Sequence, residues 1–91
     1  MNFYTRLKNA INSKGSYVCV GLDSDIDRLP LCVKGNTVER IISFNRAVIK
    51  STSNFCAAYK FNVAFYEALG RDGYIALEES MLIVPNGHII I

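Results

Sequence analysis

Apolar residues at Phe3, Leu7, Ala10 and Ile11 recur at the spacing of one helical face, and Gly15 follows as a stop, so the chain opens with an amphipathic helix. The pattern then changes period. Tyr17-Val18-Cys19-Val20-Gly21-Leu22 is continuously apolar and rich in β-branched and aromatic residues, which predicts a first strand buried on both faces. Asp23 to Pro30 is polar, and its aspartates and proline favour turns. Asn36 suits a helix N-cap, with Glu39 placed to complete a capping box, and Val38, Ile41, Ile42, Asn45, Val48, Ile49 and Thr52 trace one face for about four turns. Cys56-Ala57-Ala58-Tyr59-Lys60-Phe61 is the second predicted strand, beginning 39 residues after Tyr17. That distance fits a strand, a crossover helix and a parallel strand.

Beyond Asn62, the residues Val63 to Leu69 favour a short helix stopped by Gly70, and Asp72 is placed to cap another running to about Val84. Pro85-Asn86-Gly87 marks a turn, and His88-Ile89-Ile90-Ile91 opens a third buried strand, 32 residues after the second. A domain commonly ends in polar, frayed residues, so this apolar ending predicts a truncated chain whose open sheet edge favours aggregation. The order helix, then β-α-β-α-β, predicts a parallel sheet with right-handed crossovers. Periodicity does not choose between a (β/α)₈ barrel of about 250 residues and an open doubly wound sheet.

Composition narrows the class. The 91 residues are 51% hydrophobic, too apolar for a disordered tail and enough for one domain at most. Ten basic against eight acidic residues leave a charge of +2, and the basic residues are scattered singly, which gives no footing for nucleic acid or anionic lipid. The charged N-terminus is unlike a secretory signal, and no run approaches the ~18 apolar residues of a membrane span, so the chain reads as soluble and cytoplasmic. Cys19, Cys32 and Cys56 lie 13 and 24 residues apart, an odd set without a C-x-x-C pair. This argues against disulfides or zinc, and Cys19 and Cys56 read as small hydrophobes within apolar runs.

Ligands of parallel α/β folds bind at the carboxyl ends of strands, which directs attention to Asp23, Lys60 and Asn62. Each has a plainer alternative: an Asx turn for Asp23, a snorkelling lysine for Lys60, an N-cap for Asn62. Lys60 sits within an apolar stretch, so its ammonium must reach solvent or meet a carboxylate. Asp23-x-Asp25-x-Asp27 begins like a calcium loop, but Arg28 replaces the required glycine and Lys34 the closing glutamate. No glycine-rich phosphate cradle follows either complete strand. His88 has neither metal-ligand nor nucleophile spacing around it and reads as structural.

Val18-Cys19-Val20-Gly21-Leu22-Asp23, then Leu29-Pro30, the Phe44-Asn45 stretch, and Ala57 through Tyr59-Lys60-Phe61-Asn62-Val63-Ala64-Phe65-Tyr66-Glu67 to Gly70 together resemble orotidine 5′-phosphate decarboxylase, most closely its longer-chain type 2 subgroup. Many relatives have proline where this chain has Phe61. The resemblance implies the N-terminal portion, about two and a half βα units, of a (β/α)₈ TIM barrel. It implies a homodimer at full length that needs no metal or organic cofactor and converts orotidine 5′-monophosphate to UMP and carbon dioxide in pyrimidine biosynthesis. By the same resemblance Asp23 binds ribose, Lys60 contacts the ribose and a neighbouring carboxylate as a catalytic and substrate-binding residue, and Asn62 is an active-site asparagine. It further places an Asp-x-Lys-x-x-Asp motif directly after Ile91, whose lysine protonates the developing carbanion while fixed charges favour the transition state. Without that motif and the phosphate site, these 91 residues alone are expected to be inactive. Lys60 is then the buried cation for which the motif would supply a carboxylate. Two other readings remain open: a related phosphate-binding barrel enzyme of the hexulose-phosphate synthase or keto-acid phosphate decarboxylase type, and a non-enzymatic α/β domain that binds a partner along its sheet edge.

Overall fold

A computed structural model describes residues 2–91. The first helix, α1 (Phe3–Lys14), starts where the Asn2 side chain accepts from the Thr5 amide, and ends at Gly15, whose φ of 63° is the left-handed conformation that glycine, having no Cβ, adopts without penalty. Strand β1 (Cys19–Gly21) follows, then a 3₁₀ turn (Ile26–Arg28) and helix α2 (Thr37–Thr52). Both halves of the capping box are present, with Asn36 accepting from the Glu39 amide and Glu39 accepting from the Asn36 amide. Strand β2 (Ala58–Lys60) leads through short α3 (Val63–Glu67) into α4 (Arg71–Ile83), and β3 (Ile89–Ile90) closes the order.

The three strands are parallel in the order β1-β2-β3, with Cys19 beside Ala58 beside Ile89, Val20 beside Tyr59 beside Ile90, and Gly21 beside Lys60. Successive side chains on a strand point to opposite faces. Tyr59 and Ile90 accordingly join the main core with Ile41 and Ile49 of α2, Tyr66 of α3 and Ala76 of α4. Each of the buried isoleucines contributes about 1.5–3 kcal/mol by leaving water. Ala58 and Ile89 face the other way and pack on Leu7, Ala10 and Ile11 of α1. Both crossover helices thus lie on one face, with α2 packed on α4, while α1 covers only the amino half of the other. This is the arrangement of part of a parallel (β/α) barrel. No helix among the described residues is long and apolar enough to cross a membrane.

Several expectations change in detail. β1 is not buried on both faces: Cys19 and Gly21 are exposed and only Val20 is half-buried, because α1 packs on Ala57, Ala58 and Ile89 of the neighbouring strands and leaves that face of β1 uncovered. Cys19 is therefore an exposed thiol, whereas Cys56 is fully buried as expected. Asp72 does not cap α4. Gly70, at φ 64°, turns the chain so tightly after α3 that the helix begins at Arg71, leaving Asp72 in the first turn. There a carboxylate still benefits from the helix dipole. His88 is buried, with Nε2 2.7 Å from the Ser53 carbonyl oxygen and its ring 5.5 Å from that of Tyr59. Its place at the amino end of β3 fits a structural role.

Candidate functional site

The strand parity that builds the core also selects which side chains meet solvent at the carboxyl ends. Lys60 follows Ala58 by two positions and projects from the same face, past the edge of what α1 covers. β1 is paired one residue further than its formal end, since the Leu22 amide donates to the Lys60 carbonyl at 2.8 Å. Leu22 is buried in the main core and Asp23, the next residue, is exposed. A side chain on Gly21 would come within 3.9 Å of Asp23 Oδ2, so the carboxylate leans over the bare glycine that neighbours Lys60 in the sheet.

Asp23 is not spent on the turn. The Asx-type bond belongs to Asp25, whose Oδ1 accepts from the Asp27 amide at 3.0 Å and caps the 3₁₀ turn. Among the described residues no hydrogen bond or ion pair engages the Asp23 carboxylate or the Lys60 ammonium. Lys60 corrects the expectation of a buried cation: it is exposed, because its face of the sheet is open at that end. Asn62 is exposed too and caps α3, its Oδ1 accepting from the Ala64 amide at 3.3 Å, so the plainer alternative holds for its oxygen. Its amide N–H groups make no hydrogen bond among the described residues. Together these residues offer an acceptor carboxylate, a donor ammonium and donor amide hydrogens at one end of the sheet. Such a set suits a hydroxyl-bearing, anionic ligand. Phe61, between Lys60 and Asn62, is buried against Tyr66, and its amide donates to the Ile91 carbonyl at 3.3 Å, a bond proline could not make.

Among the described residues no cluster of three His, Cys, Asp or Glu side chains gathers closely enough to hold a metal. A hollow of about 260 Å³ lined by Arg6, Ala10, Ser13 and His88 lies at the amino ends of the strands, away from these residues.

The chain is 44% identical over 75 residues to orotidine 5′-phosphate decarboxylase of Christiangramia forsetii, covering 82% of this chain and 27% of that protein. With the enzyme of the same name from Dehalococcoides mccartyi it shares 44% identity over 85 residues, 93% of this chain and 29% of the relative. Its backbone matches the crystal structure of a Toxoplasma gondii protein assigned as an orotidine-monophosphate-decarboxylase, with a TM-score of 0.85 and 37% identity over 98% of this chain and 30% of that one. At the level of the family, the chain matches orotidine 5′-phosphate decarboxylases. No protein-family model matches it. The chain spans less than a third of the length of these decarboxylase relatives.

Within this decarboxylase-like segment, a buried polar cluster behind Asp23 escaped the reading of the sequence. Ser24 donates to Asn45 Oδ1 at 2.5 Å, and Asn45 Nδ2 donates to Tyr66 OH at 3.1 Å and to Ser80 Oγ at 2.9 Å. Tyr66 OH donates in turn to the Leu22 carbonyl at 2.7 Å. All four side chains are buried. Burial pushes the Tyr66 hydroxyl above the ordinary tyrosine value, the bond from Asn45 and the polar groups of neighbouring Ser24 pull it back, and the nearby Asp23 charge raises it further. Tyr66 therefore stays a neutral donor. One clue was present: Asn45 is a polar residue on the buried face of α2, where an amide must find partners.

Proposed function

We propose that this chain is the N-terminal portion of an orotidine 5′-phosphate decarboxylase, a carbon–carbon lyase that releases carbon dioxide from orotidine 5′-monophosphate to give UMP. The observation that carries the reading is the presence of Asp23, Lys60 and Asn62 at the carboxyl ends of adjacent parallel strands, in a chain that matches this family over most of its length. Asp23 accepts from ribose hydroxyls, Lys60 donates to the ribose and holds a partner carboxylate, and Asn62 donates from its free amide hydrogens. In this reading an Asp-x-Lys-x-x-Asp motif follows Ile91. β3 pairs with β2 through Ile91, whose amide donates to the Tyr59 carbonyl at 2.9 Å, so residues that follow it emerge next to Lys60. An exposed, unpaired ammonium is then supplied with the carboxylate it lacks here. Catalysis in this reading is electrostatic: fixed charges bind the transition state better than the substrate carboxylate.

The test is carbon dioxide release from orotidine 5′-monophosphate by the protein carried to the length of its relatives, beside its Lys60→Ala variant. Turnover by the parent and a loss of at least about 100-fold in the variant, with its melting temperature kept, support the assignment. An inactive parent, or near-normal turnover by the variant, overturns it.

A further inference from the structure

The bonds of the buried cluster converge on the two residues that flank Asp23. Tyr66 holds the Leu22 carbonyl on one side and Asn45 holds the Ser24 hydroxyl on the other. The directions are fixed by proton count. Tyr66 has one proton and gives it to Leu22, so its oxygen accepts from Asn45 Nδ2. That commits the amide's orientation and turns Oδ1 toward Ser24, which donates to it. Ser80 closes the remaining Asn45 hydrogen and touches neither residue beside Asp23. The exposed carboxylate is thus carried on a backbone anchored from α2 and α3, elements far from it in sequence.

We propose that Asn45, Ser24 and Tyr66 are positioning residues for Asp23: their hydrogen bonds fix the chain on both sides of this carboxylate and set the direction in which it meets the ligand. The ligand in this statement rests on the decarboxylase reading, whereas the anchoring rests on the hydrogen bonds alone. The geometry makes a distinction that simple core packing would not. Ser24→Ala and Ser80→Ala each delete one hydroxyl bonded to the same amide, and so weaken the fold alike, but only the first releases a neighbour of Asp23.

The experiment compares Ser24→Ala, Tyr66→Phe and Ser80→Ala in the protein at the length of its relatives. Amide hydrogen exchange is read at residues 22–24 against Ile41 and Ile49 of α2, and UMP affinity is read by calorimetry. Ser24→Ala and Tyr66→Phe should speed exchange at residues 22–24 selectively and weaken UMP binding by about tenfold, equivalent to about 1.4 kcal/mol, while Ser80→Ala lowers the melting temperature without either change. If all three variants behave alike, or if exchange at residues 22–24 is unmoved, the positioning role is wrong. Failure of the parent to bind UMP would count against the decarboxylase reading, and the exchange comparison would still decide the anchoring.

Discussion

Replacing Gly73 by alanine sets two effects of opposite sign against each other. Gly73 is the third residue of α4, and on helix propensity alone alanine would gain at most about 0.8–1.0 kcal/mol. The site, however, is buried where α4 crosses α3. A methyl group there would overlap the Tyr66 carbonyl oxygen and lie 3.1 Å from Leu69 Cβ. The obstructing atom belongs to the backbone and cannot rotate away, so α3 and α4 would have to separate, loosening Tyr66 from Phe61 and from the fully buried Ala76. Overpacking of this kind costs about 1–3 kcal/mol, and the upper part of that range applies where backbone must move. The steric effect wins, with a net loss of about 1–2 kcal/mol. In the protein at the length of its relatives, a barrel of about 250 residues, that is a fall in melting temperature of about 2–4 °C for each kcal/mol, readable by far-ultraviolet circular dichroism. Because Tyr66 also holds the Leu22 carbonyl, faster amide exchange at residues 22–24 should accompany the fall. A Gly73→Ala protein that melts at or above the parent would refute the claim that a bare α-carbon is what lets the two helices meet.

Asn36→Ala removes the 2.9 Å bond to the Glu39 amide and should cost about 0.5–2 kcal/mol in urea unfolding, whereas Asn36→Asp, which keeps the acceptor, should cost far less. Tyr59, fully buried with its hydroxyl 2.8 Å from Thr52 Oγ1, is pushed up to about 12, chiefly by burial. The fold favours the neutral phenol, so this stabilisation is complete below the ordinary tyrosine value of about 10 and is lost as the pH rises from there toward about 12. Tyrosinate absorbance recorded with circular dichroism should show the Tyr59 phenol ionising only as the chain unfolds. Ionisation of every tyrosine in a chain that remains folded would contradict this. Arg28→Ala breaks a 3.8 Å surface pair with Asp25 whose arginine is almost wholly exposed, and should shift the urea midpoint by no more than about 0.5 kcal/mol in equivalent stability.

What the sequence disclosed and what it hid divide by the range of the interaction. The start of α2 was legible because Asn36 and Glu39 are three residues apart and cap each other, so the signal lies within one turn. Asp23, Lys60 and Asn62 were legible as candidates because each closes an apolar run, and the parallel order puts those ends side by side. The exposure of Cys19 was not, since an apolar run states that a strand can be covered and says nothing of which element covers it, whereas that of Lys60 was one of the two outcomes its apolar surroundings allowed. The α4 start was misplaced because a carboxylate at Asp72 looks the same to the sequence whether it caps the helix or lies in its first turn. The polar cluster was furthest from view. Ser24, Asn45, Tyr66 and Ser80 meet only after three helices have packed on one sheet face, and no local spacing encodes that meeting.

The same alternation that divides core from site also makes the site sensitive to register. Along Leu22-Asp23-Ser24 the outer two residues turn toward the helices and are held there, while the middle one faces the open side. Along Tyr59-Lys60-Phe61 the arrangement repeats, with Tyr59 and Phe61 in the core and Lys60 outside. A residue inserted after Gly21 would move each side chain beyond it to the opposite face. It would carry Asp23 into the place of Ser24, against Asn45 Oδ1 in the buried cluster, where an unpaired carboxylate costs several kcal/mol or takes up a proton. The packed side chains and the exposed ones therefore cannot be altered independently: whatever keeps Leu22 and Ser24 buried keeps Asp23 exposed. Which side chains this end of the sheet exposes is set by the packing behind it.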